Sequence, residues 1–375
     1  MKSYIASDVR DVNRNTVFRL LRLGGETSRA ELTRLTGISS PTVIKIVEFM
    51  KEKGLVEESG AGSPTVGRKP QMIRLNKDAA SAVGVILEGE YLRASIVNLA
   101  GDIYPSSLRR AGADLQESMT VILPEMIESL LALAHVDRAS IRGIGLGIPG
   151  GYDPNTHVVN FAPLIRLTGP TCIAPYERAL GERFAMPVVV DNDVNMAVLG
   201  EYRARALDGA DLIYLSLGTG IGAGVMLGGA LRHGNTWQCG EIGYMTFMDN
   251  YVPGHTHPGW LESRINLSAV REKFGFDPYH VEKALLPDVT DHISVPLAIC
   301  ISNVVSLLDC DTVVLGGILT QSLGNVFLES VRAKVQELCV LNVSVERQLC
   351  VDPGVLGAAS VVLDRAIKAI LSEQE

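Results

Sequence analysis

Three short stretches of this chain combine glycines, carboxylates and amides at spacings that suit a binding site. The run Leu217, Gly218, Thr219, Gly220, Ile221, Gly222, Ala223, Gly224 joins two apolar segments. Its glycines let backbone N–H groups approach an anion closely, although a ligand-free glycine hairpin has the same pattern. Asp191, Asn192, Asp193 and Asn195 follow the apolar Val188, Val189 and Val190 and open a helix. A carboxylate at such a strand end can take a proton from a hydroxyl or accept its hydrogen bond. The plainer role is a helix N-cap, which Asp and Asn fill equally well. Gly240, Glu241, Ile242 and Gly243, with Glu262 further on, add two carboxylates suited to sugar hydroxyls.

The elements that must position these residues alternate between strand and helix from residue 80 onward. Residues 81–104 read as a hairpin, and a helix is expected around 117–134. Glycine-bounded strands follow at 141–150, 186–193 and 210–227, then helices at 294–308 and 354–371 around a strand at 311–317. This is an α/β pattern with a mixed sheet, helical cover and two lobes.

Residues 28–54 carry a different kind of chemistry. Ser28 with Glu31 forms a capping box, so a helix starts at Arg29. Gly37 sits in the turn, and Ser40 caps a second helix with Pro41 at its first position. Val43, Ile46, Val47 and Met50 face inward, and Gly54 ends the helix. This spacing presents a recognition helix to a DNA major groove, with Ser39, Ser40, Thr42 and Lys45 as the outward candidates; an ordinary helical hairpin satisfies the same pattern. A supporting helix is expected at 11–23, and two short strands at 55–56 and 72–75 bracket a Gly/Ser/Pro-rich loop. That makes a winged helix, with Arg68 and Lys69 at the wing tip for phosphates or the minor groove; a basic interdomain linker is the alternative.

Charge favours the DNA reading. Residues 1–80 hold 14 basic and 9 acidic residues, a net of +5, while the remainder carries −13 and the whole chain −8. A basic head on an acidic body suits phosphate contact at one end only. The 375 residues suggest more than one core. Six scattered cysteines without a C-x-x-C pair read as thiols of a reducing cytoplasm. No N-terminal signal and no apolar run of membrane-spanning length are expected.

In combination, the N-R-N-T-V-F-R-L-L run at 13–21, the helix-turn-helix, G-R-K-P, G-I-P-G-G-Y-D, N-D-V-N, L-G-T-G-I-G-A-G-V, G-E-I-G, L-E at 261–262 and V-V-L-G-G-I-L resemble the ROK family (repressors, open reading frames and kinases). The head resembles its xylose-repressor branch. The resemblance implies a winged helix at 1–78 followed by a two-lobed actin-like, ribonuclease H-like sugar-kinase fold. The expected lobes are 79–193 with 300–375, and 194–299. It further implies that Asp193 matches a catalytic base, that Asn192, Glu241, Glu262 and Asn160 match sugar ligands, and that 218–222 matches a phosphate loop.

The departures from that family pattern matter as much. The first phosphate loop, D-x-G-G-T in the kinases, has become Ile86, Leu87, Glu88, Gly89, Glu90. Two carboxylates facing a triphosphate each oppose it by about 4 kcal/mol at an effective dielectric near 20. The metal-organising Asp is Ile86, so ATP use and phosphoryl transfer are expected to be lost and Asp193 to be vestigial. The family's zinc ligands fall on Tyr244, Pro253, His255 and Trp260, which do not make a tetrahedral site; no cofactor is expected, with a rebuilt site on His255 and His257 as the alternative. The resulting expectation is a cytoplasmic, sugar-responsive DNA-binding repressor of carbohydrate-utilisation genes, a homodimer or homotetramer. The competing expectation is an active ATP-dependent sugar kinase.

Overall fold

The structure, a computed structural model, describes residues 6–61, 71–89, 91–105, 107–112, 114–133, 136–160, 162–247 and 258–373. Arg68, Lys69, Glu90, Pro253, His255 and His257 lie outside the described residues.

The N-terminal unit is a winged helix built from α1 (Ala6–Gly24), β1 (Thr27–Ser28), α2 (Arg29–Thr36), α3 (Ser40–Glu52), β2 (Val56–Ala61) and β3 (Gln71–Leu75). Ser28 caps α2 by accepting from the Glu31 N–H, and Gly37 ends it with φ 68°. The capping box is only half formed, because the Glu31 carboxylate pairs with Arg34 at 2.6 Å. The cap of α3 is one residue earlier than expected: Ser39 holds the N-cap position without a side-chain bond to the backbone, and Ser40 is the first helical residue. Val43, Ile46, Val47 and Met50 are buried as the spacing predicts, and Phe49 joins them. β1, not foreseen, adds a third strand on β3.

Two five-stranded sheets form the body, and they share one plan. In the first, Ser81–Glu88 forms an antiparallel hairpin with Tyr91–Asn98, flanked by Ser107–Arg110, and pairs in parallel with Ile141–Ile148 and then Val188–Asn192. In the second, Leu212–Leu217 forms the hairpin with Ile221–Leu227, flanked by Ala230–Leu231, and pairs in parallel with Thr312–Gly316 and then Ser344–Arg347. Residues 312–347 therefore hydrogen-bond with the second sheet, whereas the sequence reading grouped 300–375 with the first. The cause is the parallel ladder from Leu212–Leu217 to Thr312–Gly316. Only the final helix, Pro353–Leu371, returns to the first sheet.

That return depends on missing side chains. A Cβ on Gly84 would lie 2.2 Å from the Val355 carbonyl oxygen, and one on Gly145 1.9 Å from that of Ala358. The final helix also crosses the helix Asp193–Ala204 backbone to backbone, since a Cβ on Gly357 would lie 1.7 Å from the Met196 carbonyl oxygen. The segment Lys283–Leu308 is long and apolar enough to cross a membrane by length and composition alone, with mean hydropathy 1.5 over its most apolar stretch. Its Val289, Ile293, Leu297, Ile301 and Val305 are buried in the second lobe's core, where an apolar helix satisfies the same test.

Candidate functional site

A cleft with a cavity volume of about 90 Å³ opens where the two sheets face each other. One wall comes from the strand ends of the first sheet with the start of the helix Asp193–Ala204, and the other from the 218–223 turn, residues 237–241 and Glu262. Asn192, Asp193, Glu241 and Glu262 all line it. Asn160 does not; its N–H donates to the carbonyl of Gly151, which does.

The strand Val188–Asn192 ends in a dense polar knot. Asn192 caps the following helix: its Oδ1 accepts from the N–H groups of Val194 and Asn195 at 2.9 and 3.0 Å, and its Nδ2 donates to Gly150 O at 3.1 Å. The plain capping role is thus realised, and it fixes the residue beside it. Asp191, unassigned from sequence, accepts from Asn195 Nδ2 at 2.9 Å and meets His233 Nε2 of the opposite lobe at 2.7 Å. The His233 ring packs against Trp237 of the cleft wall, with centroids 4.9 Å apart.

Asp193 is half-buried and its Oδ1 accepts from the Val194 N–H at 3.0 Å. Burial, then the charges of Glu88 and Glu241, push its carboxyl up to about 7. A carboxylate poised there can accept a hydroxyl hydrogen bond or act as a general base. Glu241 is raised by burial and by Glu262. Glu262 accepts the Ile221 N–H at 3.1 Å, so it braces the glycine turn as well as lining the cleft. The glycines of that turn divide by task. Gly218 and Gly220 make the turn itself, while Gly224 admits Val198 of the neighbouring helix, which a Cβ would meet at 2.6 Å.

At the other end, Ile86 is buried, and its side chain fills the space that Cβ atoms on Gly147 and Gly354 would occupy. Glu88 lines the cleft and forms an ion pair with Arg93, whose Nε lies 3.7 Å from Asp352. Asp352 in turn caps the final helix through the Val355 N–H. Arg93 carried no signal in the sequence, because nothing in a hairpin strand announces that its guanidinium crosses to residue 88. At the positions that match the family's zinc ligands, Tyr244 is exposed and Trp260 packs edge-on against Phe247, centroids 5.4 Å apart, with Arg264 stacked 3.8 Å above its ring. Among the described residues no three His, Cys, Asp or Glu side chains gather as a metal site.

On the head, Ser39, Ser40 and Lys45 are exposed and Thr42 is partly so; Ser39 Oγ and Thr42 Oγ1 share a hydrogen bond of 2.8 Å. Ile44, overlooked in the sequence because it breaks the apolar stripe, is 44% exposed between them. The head stands on the body through Arg14, which is 1% exposed. Its guanidinium lies 3.5 Å from the Phe49 ring centroid of α3 and donates to the carbonyls of Leu371 and Glu373 at 3.0 and 2.7 Å. Arg22 of α1 reaches Asp364 of the final helix at 2.7 Å.

A winged helix mounted on a body of two like-planned sheets around a polar cleft defines a winged-helix protein with an actin-like, two-lobed body. The chain belongs to the ROK family: the family model of that description matches residues 82–365. Over 353 residues it is 26% identical to a "putative xylose repressor" of Caldicellulosiruptor sp. (strain Rt8B.4), covering 86% of this chain and 87% of that one. The fold is shared with a crystal structure described as a ROK family transcriptional regulator, homolog of E. coli MLC protein (TM-score 0.75, 18% identity, 97% of this chain and 98% of that). It is shared over the body with a ROK family glucokinase from Streptomyces griseus in complex with glucose and AMPPNP (TM-score 0.63, 21% identity, 76% and 100%). The regulator matches head and body together, and the kinase leaves about a quarter of this chain unmatched.

Proposed function

We propose that this chain is a sugar-responsive DNA-binding transcriptional regulator, a repressor of carbohydrate-utilisation genes, whose kinase-derived body senses a sugar without phosphorylating it. The observation that carries the reading is a winged helix with an open recognition face, footed by buried Arg14 on the same final helix whose start is capped beside the cleft. Sugar held by Asn192, Asp193, Glu241 and Glu262 draws the lobes together. The final helix, joined to Glu88 through Asp352 and Arg93 and to the head through Arg14, then changes the head's stance. Operator affinity shifts by a coupling energy of about 1–3 kcal/mol. Two such heads in a homodimer meet paired half-sites one DNA turn apart. The loop changes at Ile86, Glu88 and Glu90 and the altered positions Tyr244, Pro253, His255 and Trp260 support a body that uses neither ATP nor zinc.

The test is fluorescence anisotropy on duplexes that the protein itself selects from a random library, with and without a monosaccharide panel. A selected sequence whose affinity changes with one sugar is the expected result, and failure to enrich any sequence at low salt sinks the reading. Lys45→Ala should weaken binding to all sequences alike and lower the salt slope by about one. The kinase alternative keeps one supporting observation, the carboxyl of Asp193 held near neutrality. It demands sugar-dependent ATP turnover that Asp193→Asn abolishes.

A further inference from the structure

We propose that the effector is an unphosphorylated, uncharged monosaccharide and that the cleft is built to reject the corresponding sugar phosphate. This rests on the sugar-sensor reading above and narrows it to a ligand class.

The cleft is one-sided in charge. Glu88, Asp193, Glu241 and Glu262 line it, and among its described lining residues there is no Lys, Arg or His. Arg93, a cation at the Glu88 end, is already shared between Glu88 and Asp352. The turn that would cradle a phosphate has spent donors as well. The Gly218 N–H donates to Gly220 O at 3.1 Å, and the Ile221 N–H donates to Glu262 at 3.1 Å, so a carboxylate of the protein stands where an anion would bind. Glu88 also approaches this turn from the opposite lobe, with its Oε1 3.6 Å from where a Cβ on Gly218 would be.

Hydroxyl groups suit such a lining, because each donates to a carboxylate and none adds charge. A phosphate on the hydroxyl that faces Asp193 places a second anion beside Asp193 and Glu88 in a partly enclosed space. Like charges held close in reduced dielectric repel strongly, and a site that offers no cation cannot offset this. Glu88 is thus a specificity-determining residue as well as a lost piece of a phosphate loop.

The test is isothermal calorimetry on the full chain with three matched pairs: D-xylose and its 5-phosphate, D-glucose and its 6-phosphate, N-acetyl-D-glucosamine and its 6-phosphate. The expected result is that one parent sugar binds and its phosphate binds at least about tenfold more weakly. That ratio should shrink when salt is raised on the wild-type protein, which needs no variant to fold, and shrink again in Glu88→Gln. A phosphate that binds as well as or better than its parent overturns the ligand class and leaves the sugar-sensor reading standing. A ratio that neither salt nor Glu88→Gln moves overturns the electrostatic basis. Binding by none of the six at millimolar concentration overturns both readings together.

Discussion

The two ends of the cleft have kept different things. At one end, Asn192 caps a helix, Asp193 stands next to it, and Glu241 and Glu262 face them across the gap, so hydrogen-bonding groups remain on both walls. At the other, a buried Ile86 packs into two glycines and Glu88 is joined to Arg93 and Asp352. The first end holds directional chemistry. The second holds a buried apolar side chain and an internal ion pair, which joins the cleft wall to the start of the final helix. Different strand ends supply the polar end and the packed end, so the two can be altered independently.

The strongest way to break that comparison is Ile86→Asp, which restores the acid expected of a working phosphate loop. Here it should bury an unpaired carboxylate against Gly147 and Gly354 and cost about 3–5 kcal/mol in urea unfolding. If stability is unchanged, the contrast between the ends disappears. A smaller effect sharpens the first end. Because the carboxyl of Asp193 titrates near 7 in the folded chain and near the ordinary 3.8 when unfolded, the folded state holds a proton that the unfolded state has lost between those values. Stability contributed by this group is therefore full below pH about 4 and falls until pH about 7, by an amount on the order of a few kcal/mol. Melting curves of Asp193→Asn against pH should lack this decline; an identical decline in the variant removes the assignment. Smallest is Glu88→Gln. Its ion pair with Arg93 is about one-third exposed, so the loss should stay below about 1 kcal/mol. The same change should lower the Asp193 titration midpoint by NMR, since Glu88 is one of its causes.

Much of this was legible from residue order because local rules govern it. Caps, a turn glycine and a 3.6-residue apolar stripe located α2 and α3, and alternating strands and helices gave the α/β body. The misplacement of the α3 cap by one residue came from choosing between adjacent serines, Ser39 and Ser40, on side-chain type alone. Glycines and strand ends mark out Asp193, Glu241 and Glu262 in the sequence, the family resemblance adds Asn192, and all four line one cleft. The assignment of 312–347 to a sheet was not legible, since parallel pairing joins segments about a hundred residues apart and leaves no local mark. Nor were the His233–Asp191 and Arg93–Glu88 pairs, which exist only once strands lie side by side or the lobes meet.

Arg14 sets an order on how the protein is made. Its guanidinium is buried in the head, yet the two carbonyls that accept from it come 357 and 359 residues later. The ribosome releases the head first, at a time when those two acceptors do not exist, so these contacts form only when the last helix arrives. The DNA-binding unit therefore reaches its final packing only after the last helix has been synthesised and laid across the first sheet. A nascent or prematurely terminated chain carries its recognition helix without these two contacts to the body.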